Sequence, residues 1–410
     1  MSIVKDKSLY KSGEAKISWV KKNMPLLRSI EEDFIKTNPF DGKKISISIH
    51  VEAKTAYMAR VLAAGGAKVT VTGCNPLSTQ DDVAAALYSG GIDVFAVHGV
   101  SDEEYYRHIG YSLDNCPDVF LDDGGDLVSA LHGEKRDIAK NVFGGSEETT
   151  TGVMRLKARE ARGDLLFPMI SANDAMCKHL FDNRYGTGQS VWDGFSRTTN
   201  LIIAGKTVVI AGYGWCGRGC AMRAKGMGAR VIVCEIDPVK AIEAVMDGYD
   251  VMSMDDAASL GDIFITVTGC KDVITKKHFE KMKDGAIMGN AGHFDVEISL
   301  TDLADICTES FDIKPNITQY NVSGKHLFVL AYGRLLNLAA GDGHPAEIMD
   351  MSFAIQTKSL EYLVKNYNKM ENKVYDVPSE IDDFVARLKL KAWGKTIDEL
   401  TPEQREYISK

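Results

Sequence analysis

A chain of 410 residues is too long for one compact core, so two or three domains are expected. With 45% hydrophobic, 26% charged and 8% aromatic residues and a net charge of −9, it reads as a soluble globular protein. That charge argues against general affinity for nucleic acid or anionic membrane. No apolar stretch approaches the roughly 20 residues of a membrane-spanning helix. The charged start, MSIVKDKSLYKSGEAK, lacks a signal peptide's apolar core, which points to the cytoplasm.

The cysteines, Cys74, Cys116, Cys177, Cys216, Cys220, Cys234, Cys270 and Cys307, form no C-x-x-C pair, and no cysteine–histidine cluster has zinc-finger spacing. They read as reduced thiols, with no metal site and no disulfide framework expected.

In chain order, ISISIH (45–50), KVTVTG (68–73), IDVFAV (92–97) and DVFLDD (118–123) are expected strands, with helices over 53–64 and 81–89 between them. A second series starts with KTVVIA (206–211), a glycine-rich turn and a helix over 220–227. RVIVCE (230–235), VMSM (251–254), IFITVT (263–268) and AIMGN (286–290) continue it as strands. The alternation predicts an α/β fold of two doubly wound Rossmann-like domains with a short C-terminal helical tail. The polar, glycine-containing segment 186–199 marks the junction. A helix over 347–366 is expected to return to the first domain. The expected division is 1–184 with 345–376, then 185–344, then a tail over 377–410.

Gly212, Gly214 and Gly217 spell G-x-G-x-x-G between a strand and a helix, with Gly219 following. Glycines there give a tight turn, close approach of backbone to a pyrophosphate, and helix–strand packing. The helix N-terminus adds N–H groups and partial positive charge. Glu235 ends the next strand, 23 residues after Gly212, where a carboxylate holds a ribose 2′-hydroxyl and repels a 2′-phosphate. The expected cofactor is NAD.

Seven segments, the glycine turn among them, stand in order: NPLSTQDD (75–82), LDDGGDL (121–127), GSEETTTG (145–152), FDNRYG (181–186), AGYGWCGRG (211–219), NAGHFDVEI (290–298) and GRLLNLAAGDGHP (333–345). Together they resemble the S-adenosylhomocysteine hydrolase family. The resemblance implies reversible cleavage of an S-nucleosyl-homocysteine thioether to a nucleoside and homocysteine. In that family NAD oxidises the ribose 3′-hydroxyl, C4′ becomes acidic, homocysteine leaves from C5′, water adds, and the ketone is reduced again.

By the same resemblance Lys178 and Asp182 sit at the 3′-hydroxyl. Their i,i+4 spacing suits one helix face, and a lysine desolvated beside the cofactor is expected to have its pKa lowered enough to act as a base. Glu148 is expected to bind the ribose diol as an ionised carboxylate. Asp123 and His50 handle the C4′ proton, and His293 assists with water and the leaving group. His50 and Asp123 each end an expected strand and His293 follows another, at the strand ends where ligands of open parallel sheets bind. His344 is expected to close over the nucleoside. The implied NAD contacts are Thr149, Thr150, Thr151, Asn183, Gly212, Gly214, Trp215, Cys216, Gly217, Arg218, Gly219, Glu235, Lys240, Ala291, Gly292, His293 and Asn337.

Where mammalian-like members read H-M-T-V-E-T, this chain has His50-Val51-Glu52-Ala53-Lys54-Thr55. Hypoxanthine offers an N1–H donor and an O6 acceptor, so Glu52 and Lys54 complement it and mismatch adenine. The expected substrate is S-inosyl-L-homocysteine, giving inosine; S-adenosyl-L-homocysteine, giving adenosine, is the alternative. Against it stand Glu52 as a mere helix-start residue and Lys54 pointing to water. Lys240 replaces an asparagine of relatives and is expected to bridge to Glu235 or a phosphate. Thr187 stands at a cysteine position of relatives, so a reactive thiol there is not essential. A homotetramer is implied, without the C-terminal lysine and tyrosine that reach a neighbour's NAD in other members. From other classes come an NAD-dependent dehydrogenase and a non-catalytic regulatory homologue. The presence of Lys178, Asp182, Asp123, His50 and His293 speaks against the last.

Overall fold

The computed structural model describes residues 2–409 and builds them around two sheets flanked by helices. The first sheet contains β1 (Lys44–Ser48), β2 (Lys68–Thr72), β3 (Asp93–Phe95), β4 (Val119–Asp122), β5 (Gly144–Glu147), β6 (Met169–Ser171) and, from far along the chain, β15 (Val374–Asp376). Their order is β15-β6-β5-β4-β1-β2-β3, and every pairing is parallel. The second sheet contains β7 (Thr207–Ala211), β8 (Arg230–Cys234), β9 (Asp250–Val251), β10 (Ile263–Thr266), β11 (Ile287–Asn290), β12 (Glu309–Lys314), β13 (Ile317–Val322) and β14 (Lys325–Leu330). Its order is β12-β13-β14-β11-β10-β7-β8-β9, with β12 and β13 antiparallel. Numbered within each unit, the first sheet runs 3-2-1-4-5-6-7 and the second 3-2-1-4-5-8-7-6, so both contain the doubly wound order 3-2-1-4-5. It leaves a crevice beyond the first and fourth strands, where successive connections cross opposite faces.

The β-branched runs KISIS and KVTVT are buried along almost their full length, as expected of parallel strands covered on both faces. Three departures from the sequence pattern have local causes. The segment VMSM yields only the short β9, because the Ser253 side chain accepts from the Asp256 amide and starts a helical turn at Met254. Strand β5, GGSE, has no apolar pattern; it forms between β4 and β6, and a Cβ on Gly145 would lie 2.6 Å from the Phe120 ring. The β12–β14 hairpins extend the second sheet beyond its parallel part, and β12 is exposed throughout.

Two connections join the units: a helical path from 176 to 199 and the loop over 341–345. The helix Ala346–Asn366 then buries Met351, Phe353, Ile355 and Leu360 in the first unit's core, each contributing roughly 1.5–3 kcal/mol. Beyond it, β15 pairs with β6, and the helix Ser379–Ala392 packs behind the first unit. There the Asp382 carboxylate accepts from the amides of Met176 and Cys177 at 2.6 and 2.8 Å. Among the described residues, no helix is long and apolar enough to cross a membrane.

Candidate active site

The first crevice opens where β1 and β4 lie side by side with Ser48 opposite Asp122. His50 follows β1 by two residues and Asp123 follows β4 directly, so the topology alone brings them together. His50 Nε2 lies 3.3 Å from Asp123 Oδ2. From the second unit, His293, three residues past β11, places Nδ1 3.9 Å from Asp123 Oδ1. Gly124 makes room for it: at φ +107° its missing Cβ would lie 2.3 Å from His293 Nε2. Burial pushes the His50 imidazole down to about 4; Asp123 opposes that, while His293, His344 and Lys54 add to it.

Lys178 does not lie in an ordinary α-helix. A short turn, Met176–Lys178, runs into a π-helix over His179–Gly186. The wider period stacks position i+5 over i, so Lys178 Nζ donates to Asn183 Oδ1 at 2.8 Å while Asp182 Oδ2 lies at 3.6 Å and Glu148 Oε1 at 3.4 Å. These neighbours oppose the expected lowering of the lysine pKa. Burial works in that direction, but Asp182, Glu148 and Asp123 outweigh it and hold the ammonium above its ordinary range. Asp182 is held well below the carboxylate range: burial opposes this, and Lys178 and His344 prevail. His344 Nδ1 is 2.7 Å from Asp182 Oδ1, and Ser352 Oγ donates to Asp182 Oδ2 at 2.6 Å. Glu148 departs from the ionised state expected of it. Burial pushes it up to about 8, with Lys178 opposing and Asp182 and Asp123 adding.

Glu52 and Lys54 line the same cavity, together with Met349 and Phe353. Glu52 caps the helix Ala53–Ala64, its Oε2 accepting from the Lys54 amide at 2.9 Å. Lys54 does not point to water. It is buried, 2.8 Å from Glu52 Oε2, and donates to the Asp342 carbonyl in the connecting loop at 2.9 Å.

The second crevice opens between β7 and β10 and is built of backbone. Gly212 has φ +105°, and a Cβ on Gly217 would lie 2.0 Å from the Gly212 carbonyl. A Cβ on Gly214, the N-cap of the helix Trp215–Gly226, would meet nothing within 4 Å; that open cradle fits a pyrophosphate. Glu235 stands beside the turn and accepts from the Tyr213 amide at 2.7 Å. Asn337 Oδ1 is buried without a hydrogen-bond partner, facing the cavity as an acceptor for a carboxamide N–H. The donor set and the cradle thus fit a nicotinamide dinucleotide.

Residues 2–140 match the model for S-adenosyl-L-homocysteine hydrolase, and residues 183–343 match that for its NAD binding domain. An S-inosyl-L-homocysteine hydrolase of Methanocaldococcus jannaschii is 55% identical over 405 residues, covering 99% of this chain and 98% of that protein. Adenosylhomocysteinases of Pyrococcus abyssi and Thermotoga maritima are 55% and 54% identical over 406 and 398 residues. Those alignments cover 99% and 97% of this chain, and 96% and 98% of those proteins. The chain belongs to the S-adenosyl-L-homocysteine hydrolase family.

This family member carries the NAD-binding domain, and NAD is its cofactor. Its structure brings His50, Glu52, Lys54, Asp123, Glu148, Thr149, Thr150, Lys178, Asp182, Asn183, Cys216, Ala291, His293, Asn337 and His344 around one cavity. Thr151, Trp215, Arg218, Lys240 and Gly292 do not line it. Arg218 stacks on Trp215 at 4.5 Å and pairs with Glu243. Gly219 packs against the π-helix, where a Cβ would lie 1.8 Å from the Arg184 carbonyl. Lys240 bridges to Asp237 at 3.6 Å rather than to Glu235. Thr187 Oγ1 lies 3.2 Å from His344 Nε2 and 3.6 Å from Cys216 Sγ, tying the closing loop to the turn helix.

Sequence reasoning missed Ser352 and Gln356, which reach Asp182 and Glu148 from one face of the returning helix. Their signal was two polar residues four apart within the buried stretch 349–357 of the helix. It also missed the fully buried Glu147, whose Oε1 accepts from the amides of Gly124 and Thr149 at 2.9 and 3.0 Å and so ties the Asp123 loop to the Glu148 loop. Cys74 belongs with them, its thiol donating to Asp123 Oδ2 at 3.3 Å.

Proposed function

We propose that this chain hydrolyses S-inosyl-L-homocysteine reversibly to inosine and L-homocysteine. The observation that carries the base preference is the buried pairing of Glu52 with Lys54 in the wall of the cavity. Glu52 Oε2 is taken by the Lys54 amide and ammonium, while Oε1 has only a 3.5 Å contact from Thr55 Oγ1. That oxygen is free to accept from N1–H. Lys54 has three N–H donors; Glu52 and the Asp342 carbonyl take two, leaving one for O6. Adenine, with an acceptor at N1 and an amine at C6, finds like facing like at both positions.

Bound NAD supplies a reversible hydride acceptor for the ribose 3′-hydroxyl. Lys178 and Asp182 seat that hydroxyl, and Glu148 binds the neighbouring one. The positive charge of an oxidised nicotinamide held near Lys178 would ease loss of the lysine proton by like-charge repulsion. With C3′ at the ketone level, Asp123 and His50 take the acidified C4′ proton, and His293 serves sulfur departure and water addition at C5′. Closing the cavity between the two units keeps bulk water from the intermediate.

Synthesis from homocysteine with inosine and with adenosine tests the reading. A kcat/KM ratio of about tenfold or more in favour of inosine is expected, with no free NADH accumulating; a preference for adenosine overturns the base assignment. We further propose a homotetramer in the cytoplasm. Support comes from the helix Pro238–Met246, whose Val239, Ile242 and Met246 are exposed by 71%, 56% and 83%, and from eight free cysteines that suit a reducing compartment. Light scattering checks the assembly.

A further inference from the structure

Asp123 stands at the inner end of a hydrogen-bonded line that leaves the catalytic cavity. Its Oδ2 is 3.3 Å from His50 Nε2, and the other ring nitrogen, Nδ1, is 2.7 Å from Ser78 Oγ. Asp123 and His50 line the catalytic cavity; Ser78 does not. Ser78 lines instead a second cavity of about 470 Å³ between the units, with Thr79, His98 and Arg197. The His50 ring therefore spans the wall between two spaces.

Hydrogen counting shows what the line can do. A neutral imidazole has one N–H and one lone pair, and a hydroxyl has one hydrogen and two lone pairs. Ser78 Oγ is also 3.1 Å from the Asn75 carbonyl. With the hydroxyl hydrogen on that carbonyl, Ser78 accepts from Nδ1–H and leaves the Nε2 lone pair toward Asp123. With it on Nδ1, Nε2–H donates to the Asp123 carboxylate. The two arrangements differ by a shift of hydrogens along one line. Cys74 Sγ, 3.3 Å from both Nδ1 and Asp123 Oδ2, flanks the line but borders neither cavity, so the outlet is Ser78. Burial keeps His50 neutral, so a proton reaching the ring is passed on and not retained.

We propose that Asp123, His50 and Ser78 form a proton relay between the catalytic cavity and the interdomain space. It rests on the reading that Asp123 and His50 take the C4′ proton. The C4′–H bond breaks and its electron pair stays with the sugar as the enolate of the 3′-ketone. The proton bonds to Asp123 Oδ2 and passes to His50 Nε2. The ring yields its Nδ1 proton to Ser78 Oγ, and the original Ser78 hydrogen goes to solvent water. The reverse sequence restores every group.

The test incubates the full-length NAD-loaded protein with inosine in D2O without homocysteine. Absorbance of the reduced nicotinamide reports sugar oxidation, and NMR of the recovered nucleoside reports exchange at C4′. Wild type is expected to do both. Ser78→Ala is expected to reduce the cofactor normally but exchange C4′ roughly tenfold or more slowly, and Ser78→Thr, which keeps the hydroxyl, to recover. Wild-type exchange in Ser78→Ala overturns the relay, as does sugar oxidation without any C4′ exchange in wild type. Loss of both signals in a Ser78→Ala protein of native thermal stability also overturns it, making Ser78 a general support. Absence of cofactor reduction in wild type fails the underlying reading instead.

Discussion

The two sheets share the strand order 3-2-1-4-5, yet their crevices are made of different material. Beyond β1 and β4 the first presents charged side chains, His50, Asp123 and Glu148, with Lys178 and Asp182 brought in by the π-helix. Beyond β7 the second presents a glycine turn whose working surface is backbone. One topology thus serves two kinds of recognition. Side chains that move protons must be buried and paired with each other, whereas amides that hold phosphate need only the absence of side chains.

Breaking the backbone crevice is expected to have the largest effect. Gly217→Val drives a side chain into a carbonyl already 2.0 Å from the missing Cβ, and the purified protein should carry essentially no dinucleotide on acid release. Lys178→Ala breaks the other crevice alone: kcat should fall roughly 10³-fold while bound NAD stays near one per chain. If NAD is lost as well, the two crevices are not independent.

Exchanging Glu52→Thr and Lys54→Glu together, toward the mammalian-like pattern, should shift the inosine-to-adenosine ratio of kcat/KM by about tenfold or more toward adenosine. Threonine keeps a helix cap at that position, so thermal stability should change little.

Glu148 gives a pH test of the side-chain crevice. Free, it is neutral below about 8; diol hydroxyls donating to it favour the ionised form. Nucleoside binding should therefore release a proton below that pH. Affinity should rise with pH up to about 8, by at most about tenfold per unit, and level off above. Calorimetry in buffers of different ionisation enthalpy reads the released proton, and Glu148→Gln should flatten the profile. Smallest of all, Lys240→Ala removes a half-exposed pair with Asp237 and should change NAD affinity less than about threefold.

The legible parts of the sequence were those with local signals. The β-branched runs, G-x-G-x-x-G and the strand-end residues His50 and Asp123 each announce themselves within a few positions. Strand β5 did not, because GGSE takes its shape from β4 and β6 and from the Phe120 ring under Gly145. The protonation states of Lys178 and Glu148 were also out of reach. Burial of a lysine lowers its pKa and carboxylates raise it, and the winner depends on distances from Glu148, 30 residues away in the chain, and from Asp182 across a π-helix. Ser352 and Gln356 were hidden for a related reason: a buried polar residue of a helix shows its purpose only once its partner is placed.

Strand β15 carries a consequence for biogenesis. It pairs with β6, but the ribosome makes it only after the whole second unit, so the nascent first unit emerges with the β6 edge bare. An unpaired parallel edge is a template for another chain. Contacts that close over so long a stretch of sequence form slowly. Residues beyond 345 therefore dock onto a sheet that has waited for them, and a chaperone shielding that edge would raise the yield of native protein.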